Sequence, residues 1–336
     1  MLFESYRCLC VQYQRQQPRR GIMRILAVDD DSVVLDLLEV IFKQSDGIEV
    51  VVAASGALAL EAIATSKDGF DCFLLDISMP EMTGIELCER IRVHGAHRDT
   101  PIIMLTANTD KTSIEQAFAA GASDYITKPF DVADISTRVQ IAARMVQSGD
   151  TVRAIDPSEP SRSSVPGRHR FAVTEPLQIL SADQLILPYS LGNYLSQLSQ
   201  RHLNHCRLFA AKIIGVEALY DSCTSQEFAI ALSAVSDAIS DVVNSPKLLS
   251  SYFGSGIFIC IGTEDFGTLW PQIETDVQEV LDTSYAVFED GRAMNINLHI
   301  GRPVRPNGSR TQRVKPTIDR AISLVERSGK SKRLKA

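Results

Sequence analysis

The chain has 336 residues, 45% of them apolar, and a formal net charge of −7. That length suits two domains, because one hydrophobic core usually serves ~100–200 residues. No apolar run approaches the ~18–20 residues that cross a bilayer, and no apolar block with a small-residue cleavage site opens the chain, so a soluble, cytoplasmic protein is expected.

Residues 1–22 are rich in Arg and Gln without periodicity, and Met23 stands directly before the first apolar run. They read as a disordered extension or as an upstream start assignment. From Met23 onward, short apolar runs at 24–28, 49–53, 71–75, 101–105 and 124–127 predict five strands. Helical spacing near 32–44, 56–66, 84–94, 110–120 and 131–146 places a crossover helix after each, with Val132, Ile135, Val139 and Val146 on one side of the last. Strands alternating with helices predict a five-stranded, doubly wound parallel α/β domain over residues 23–146. Residues 147–180 turn to Ser, Pro, Arg and Gly and read as a linker that buries no face. Beyond it, a helix near 183–203, a strand near 207–214, a helix opened by the capping box Thr224-Ser-Gln-Glu227, a hairpin around Tyr252–Ile261, a helix near 270–283, a strand at 295–300 and a final helix to Gly329 predict an α+β domain over 181–336.

In such a sheet, ligands sit at the C-terminal ends of the strands. Those ends carry Asp29-Asp30-Asp31, Asp76, Thr106 and, just past the fifth strand, Lys128-Pro129-Phe130. Converging carboxylates repel one another unless a divalent cation neutralises them, and Mg²⁺ suits an all-oxygen site that keeps waters. Asp31 with Ser32 reads as a helix cap, so Asp30 is expected to bind the metal directly and Asp29 through water, together with Asp76 and the backbone carbonyl of Ser78. Asp76 is the candidate nucleophile toward phosphorus, with Lys128 holding the phosphoryl oxygens. The hydroxyl of Thr106 would reach the new group, and Tyr125 would swing into the vacated space. Pro80 and Gly84 read as shaping the loop. His94 and His97 read as surface residues, and the seven scattered cysteines as reduced, mostly buried thiols; Cys8 and Cys10 lack a second pair to complete a metal site.

In residues 23–146, the acidic cluster, Leu75-Asp76-Ile-Ser-Met-Pro80 with Gly84, Thr106-Ala107 and Lys128-Pro129-Phe130 stand in the order and spacing of a known family. The segment resembles the receiver domain of two-component response regulators. That resemblance implies a flavodoxin-like sheet with strand order 2-1-3-4-5, phosphotransfer to Asp76 from a sensor histidine kinase or phosphotransfer protein, a cis Lys128–Pro129 peptide, and rearrangement of the face built from the fourth and fifth helices. It also implies a phosphorylation-dependent homodimer through that face.

The second half resembles the GGDEF domain of diguanylate cyclases, through Ile318–Lys330 and through Asn295–Gly301. The aligned hairpin reads Phe253-Gly254-Ser255-Gly256-Ile257 and lacks both carboxylates of the family motif; Lys212 and Ile213 stand where the family's other metal-binding acid is expected, and Asn244–Lys247 replaces its product-binding motif. Two-metal chemistry without those acids has nothing to hold the metals, so no cyclase activity is expected. The expected output is contact with a downstream protein, the alternative being residual cyclase activity or nucleotide binding. Residues 302–336 hold eleven bases against two acids and read as a solvated helix face and frayed terminus. No helix-turn-helix or zinc-finger signature is present, and nucleic acid is not an expected partner.

Overall fold

The computed structural model describes residues 22–333, apart from 44, 46, 94, 99, 108–110, 149–151, 156, 158–164, 180–184, 244–247, 263–269, 271, 285 and 310–311. The readings of Cys8, Cys10, His94 and Asn244–Lys247 lie outside the described residues. Cα proximity divides these residues into two compact units, 22–107 with 126–148, and 111–125 with 152–333. Among the described residues no helix is long and apolar enough to cross a membrane.

Ten elements alternate through the N-terminal region: β1 (Met23–Val28), α1 (Ser32–Lys43), β2 (Ile48–Ala53), α2 (Gly56–Thr65), β3 (Cys72–Asp76), α3 (Gly84–Val93), β4 (Ile102–Thr106), α4 (Lys111–Ala119), β5 (Asp124–Thr127) and α5 (Val132–Ser148). The sheet order is β2-β1-β3-β4-β5, with Met23 opposite Ile48, Ile25 opposite Cys72 and Phe73 opposite Ile102, all in parallel. β3 and β4 are buried at every residue, which is why their sequences are apolar runs rather than alternating ones. On one face Ile25, Ala27, Cys72, Leu74, Ile103 and Leu105 pack with Leu38 and Phe42 of α1 and Ile135 and Val139 of α5. Val132, counted with that stripe from spacing alone, is instead 52% exposed in the first turn of α5.

Local chemistry fixes where these helices start. The Val33 N–H donates to Asp31 Oδ1 at 2.9 Å, so Asp31 caps α1 as expected. Thr83 and Glu86 form a capping box on α3: Thr83 N–H donates to Glu86 Oε2 at 2.8 Å and Glu86 N–H to Thr83 Oγ1 at 3.2 Å. His97 is not a surface residue. It is buried, its ring edge-on to Phe73 at 5.1 Å and its Nδ1 3.2 Å from Thr100 Oγ1.

The C-terminal region contains β6 (Arg153–Ile155), β7 (Leu177–Ile179), α6 (Pro188–Gln197), α7 (Gln200–His205), β8 (Arg207–Ile213), α8 (Val216–Ser222), α9 (Ser225–Val243), β9 (Leu249–Tyr252), β10 (Ile257–Gly262), α10 (Ile273–Thr283), β11 (Leu298–Ile300) and α11 (Val314–Arg333). β8 is central in an antiparallel sheet of order β11-β8-β10-β9, while β6 and β7 pair separately in parallel. α9 lays Phe228, Leu232, Val235 and Ile239 into the core, and its capping box forms, with Thr224 N–H on Glu227 Oε2 at 2.7 Å and Glu227 N–H on Thr224 Oγ1 at 3.2 Å. The other Glu227 oxygen accepts the Glu289 N–H at 2.7 Å, which is how a glutamate comes to be buried there.

Three expectations are corrected here. The stretch read as burying no face contributes Ile155, Phe171, Leu177 and Ile179 to the second core. Within the basic tail, Arg313 is fully buried rather than solvated. Its guanidinium donates to the carbonyls of Ser196 at 2.9 Å, Leu198 at 2.7 Å, Asn307 at 3.1 Å and Gly308 at 2.9 Å, satisfying carbonyls that α6 leaves open at its C-terminus. The helix expected over 183–203 is two helices, α6 and α7, interrupted where the Ser199 side chain caps α7 by accepting from His202 N–H.

Candidate functional site

The reversal of strand order between β1 and β3 opens a crevice at their C-terminal ends. Asp29 leaves β1 with its N–H on the Ala53 carbonyl at 3.2 Å, and its Oδ1 accepts the Asp31 N–H at 3.1 Å, which turns the chain into α1. Asp76 closes β3; its Oδ2 accepts the Ser78 N–H at 2.7 Å. Lys128 follows β5 with its N–H on the Thr106 carbonyl at 2.7 Å, and the Lys128–Pro129 peptide is cis. The Lys128 ammonium reaches Asp29 Oδ2 at 2.6 Å and Asp76 Oδ1 at 2.5 Å, bridging the two carboxylates. Asp30 stands beside them, exposed, and carboxylate oxygens of Asp29, Asp30 and Asp76 lie within 4.8 Å of one another.

Three carboxylates and one ammonium leave a negative site whose inner two acids are buried. Burial pushes the Asp29 carboxyl above its ordinary range, against the Lys128 and Asp31 hydrogen bonds that pull it down. Burial also pulls on Lys128 in the opposite sense, but its hydrogen bonds to Asp29 and Asp76 outweigh that and hold its pKa above the usual value, so the ammonium stays charged. The donor set is all oxygen, with one solvent-facing member, which fits a hard divalent cation that keeps part of its water shell. Receiver domains typically bind Mg²⁺, and the acids that would hold it are Asp29, Asp30 and Asp76.

Gly84 does more than shape the loop. A Cβ built on it would lie 2.0 Å from the Asp76 carbonyl oxygen, so only glycine lets the start of α3 lie against the backbone of the central aspartate. Thr106, at the end of β4, is buried and shares the crevice rim through its carbonyl's bond to Lys128. Ser78 is exposed on the loop after Asp76. Tyr125 lies in β5 with its ring edge-on to Phe118 of α4 at 6.1 Å.

The second predicted motif has a different setting. Gly254, Ser255 and Gly256 all take positive φ (85°, 52° and 73°) in the turn between β9 and β10, and the Gly256 N–H donates to the Tyr252 hydroxyl at 3.1 Å. A Cβ on Gly254 would lie 2.2 Å from the Thr174 carbonyl oxygen, and the Ser255 N–H donates to the Val173 carbonyl at 2.6 Å. Phe253 N–H is paired to the Ile257 carbonyl at 2.8 Å. Residues 173–175 thus lie on the turn, a neighbour about 80 positions away that no local pattern anticipates. Lys212, on β8, pairs with Glu326 of α11 at 3.2 Å.

Residues 25–140 match the family model of the response regulator receiver domain. Among curated proteins, the chain is 33% identical over 161 residues to the transcriptional regulatory protein SrrA of Staphylococcus aureus, covering 48% of this chain and 63% of that protein. The chain therefore spans less than two thirds of the length of the curated relatives it matches. Among solved structures, it is similar to a putative response regulator of Chloroflexus aurantiacus (36% identity, 37% of this chain and 99% of that one, TM-score 0.35) and to the chemotaxis protein CheY4 of Vibrio cholerae (30% identity, 36% and 99%, TM-score 0.35). The N-terminal part of this chain is a response regulator receiver domain.

Proposed function

We propose that the protein is the response regulator of a two-component phosphorelay, phosphorylated on Asp76 and signalling through a non-catalytic C-terminal domain by contact with another protein. The observation that carries the first half is the convergence of Asp29, Asp30 and Asp76 with Lys128 bridging two of them. A carboxylate oxygen of Asp76 attacks phosphorus, the P–N bond of a phosphohistidine on the donor breaks, and the imidazole nitrogen takes the electron pair. Lys128 stays charged and moves from carboxylate to phosphoryl oxygen as negative charge builds there. Asp29, Asp30, Asp76 and the Ser78 carbonyl would hold Mg²⁺, which when bound would supply the charge neutralisation that an approaching anion needs. Thr106 donates its hydroxyl to the phosphoryl group, and Tyr125 follows the Thr106 loop.

For the second half, the antiparallel sheet of order β11-β8-β10-β9, with helices between its strands, supports the GGDEF-like reading of 181–336. The turn Phe253–Ile257 offers no carboxylate, Gly254 accommodates residues 174–175 while Gly256 lies against Ile213 and Val216, and Lys212 pairs with Glu326. These features favour an output domain that binds protein over one that cyclises nucleotide.

Incubation with acetyl phosphate and Mg²⁺ tests the phosphorylation directly. Acid-labile phosphate on the natural protein and none on Asp76→Asn is the expected result; equal labelling of both overturns it. Incubation with GTP and Mg²⁺ or Mn²⁺ is expected to give no cyclic dinucleotide, and turnover would return the second domain to the enzymes.

A further inference from the structure

Arginines that lie far apart in the sequence of the C-terminal unit come together on its surface. Leu208 at the start of β8 exchanges both backbone hydrogen bonds with Val304: the Leu208 N–H donates to the Val304 carbonyl at 2.9 Å and the Val304 N–H to the Leu208 carbonyl at 2.7 Å, and both side chains are buried. Continuing that antiparallel register puts Arg207 opposite Arg305. Arg207 is held where α7 ends, its Nη1 donating to the Asn204 and Cys206 carbonyls at 3.0 Å each. The Arg320 guanidinium, from α11, donates to the Arg305 carbonyl. Arg302 is exposed on the same connecting segment, and Arg201 is exposed on α7 beside Gln200, whose side-chain amide donates to the Gly308 carbonyl at 3.0 Å. Among the described residues none of these five arginines has an acid for a partner, and the two acids of α11, Asp319 and Glu326, are taken by Lys315 and Lys212. Like charges directly opposite one another destabilise a sheet. An uncompensated arginine pair at facing positions therefore gains nothing for folding, which points to a role outside the unit.

We propose that Arg201, Arg207, Arg302, Arg305 and Arg320 form the surface on which the C-terminal unit docks an acidic segment of a partner protein. This rests on the reading of that unit as an output that works by protein contact, and gives the contact a place and a chemistry. A planar guanidinium pairs both oxygens of a carboxylate at once. Arg207 and Arg320 are already oriented by backbone carbonyls, so less freedom is lost when they bind. Two features set a protein segment above other polyanions. The chain carries a net charge of −7, and residues 23–146 hold twenty acids against ten bases, so a long duplex or a charged bilayer meets repulsion from the rest of the molecule. A short segment feels only the field within about 8 Å of the arginines. In addition, residues 200–207, 302–309 and 314–321 contain no aromatic side chain on which a nucleic-acid base could stack.

The test uses the full chain and a fluorescein-labelled peptide of alternating Asp and Glu, its anisotropy followed at low and at near-physiological salt. Arg302 and Arg305 are exposed, so replacing both by Gln carries little hazard to folding, which circular dichroism checks. The natural protein is expected to bind the peptide, and Arg302→Gln with Arg305→Gln to bind it about tenfold or more weakly, through the loss of two charge-assisted bonds. Lys315→Gln, whose ammonium is engaged by Asp319, is expected to leave binding unchanged. No binding by the natural protein, or equal weakening by Lys315→Gln, overturns the surface. Tighter binding of mixed-sequence duplex DNA or of phosphatidylserine vesicles than of the peptide assigns the arginines to phosphate and overturns the protein partner. Salt-sensitive self-association in sedimentation that the double variant loses makes a second copy the occupant, and overturns it as well. The output reading fails by a different result, turnover of GTP, so the two failures are distinguishable.

Discussion

The acidic crevice and the β9–β10 turn are built on the same device with opposite results. In each, a glycine lets one stretch of backbone come closer than any side chain would permit: Gly84 against the Asp76 carbonyl, Gly254 against the Thr174 carbonyl. At the crevice the close approach fixes the backbone of an aspartate whose carboxylate is held by Lys128 and Ser78 and flanked by two more acids. At the turn it seats residues 173–175 of the same chain, and no carboxylate faces it from Phe253–Ile257. A glycine in a motif therefore says only that something comes close; whether that is a reacting group or the protein itself depends on its neighbours.

Removing the crevice's cation should separate the two regions most sharply. Lys128→Ala is expected to slow phosphate incorporation about 100-fold, the usual effect of deleting one preorganised charge from a phosphoryl or oxyanion site, and to leave the melting of the C-terminal unit unchanged. Phosphorylation kinetics with differential scanning calorimetry checks both. Next come the two glycines. Gly84→Ala and Gly254→Ala should each destabilise by about 2–3 kcal/mol, since a backbone oxygen occupies the space of the new Cβ, and at Gly254 the positive φ adds strain. Only Gly84→Ala should also impair phosphorylation. If Gly254→Ala did so equally, the contrast between the two close approaches would collapse.

Arg313 gives a smaller effect on one side of the comparison. Arg313→Lys keeps the charge but no ammonium matches a planar fork on four carbonyls, so about 1–2 kcal/mol should be lost, read from urea unfolding of the C-terminal unit.

The parallel sheet was legible because strands covered on both faces give unbroken apolar runs, as Cys72–Asp76 and Ile102–Thr106 do. The crevice was legible because fold and chemistry intersect there: acids at the ends of apolar runs have one place to meet. Arg313 was not, because an arginine in a basic tail looks the same whether water or four carbonyls satisfy it. His97 failed for the same reason, its burial depending on Phe73 across the fold. β6 and β7 are three residues each, too short for alternation to register, and the partner of Gly254 lies 80 residues earlier in the chain. The hydrogen bond between Tyr194 and Glu115 joins positions 79 apart, which no local pattern reveals.

The last expected effect, a pH slope absent at neutral pH and confined to alkaline conditions, sits at Tyr252, whose hydroxyl anchors the glycine turn. Burial raises its pKa from 10.0 to about 12, although the Gly256 N–H on its oxygen pulls the other way. An acid whose pKa is raised by folding keeps its proton in the native state while the unfolded chain loses it, so stability falls as pH climbs from about 10 to about 12 and is unaffected below. The slope due to this one group is at most about 1.4 kcal/mol per pH unit. Tyr252→Phe should flatten that slope while costing a little stability at neutral pH through the lost bond to Gly256. Urea unfolding followed across pH 9–12 for both proteins measures it. An unchanged slope would mean that Tyr252 is not the group coupling the turn to alkaline unfolding, and that the turn is held by the 173–175 contact alone.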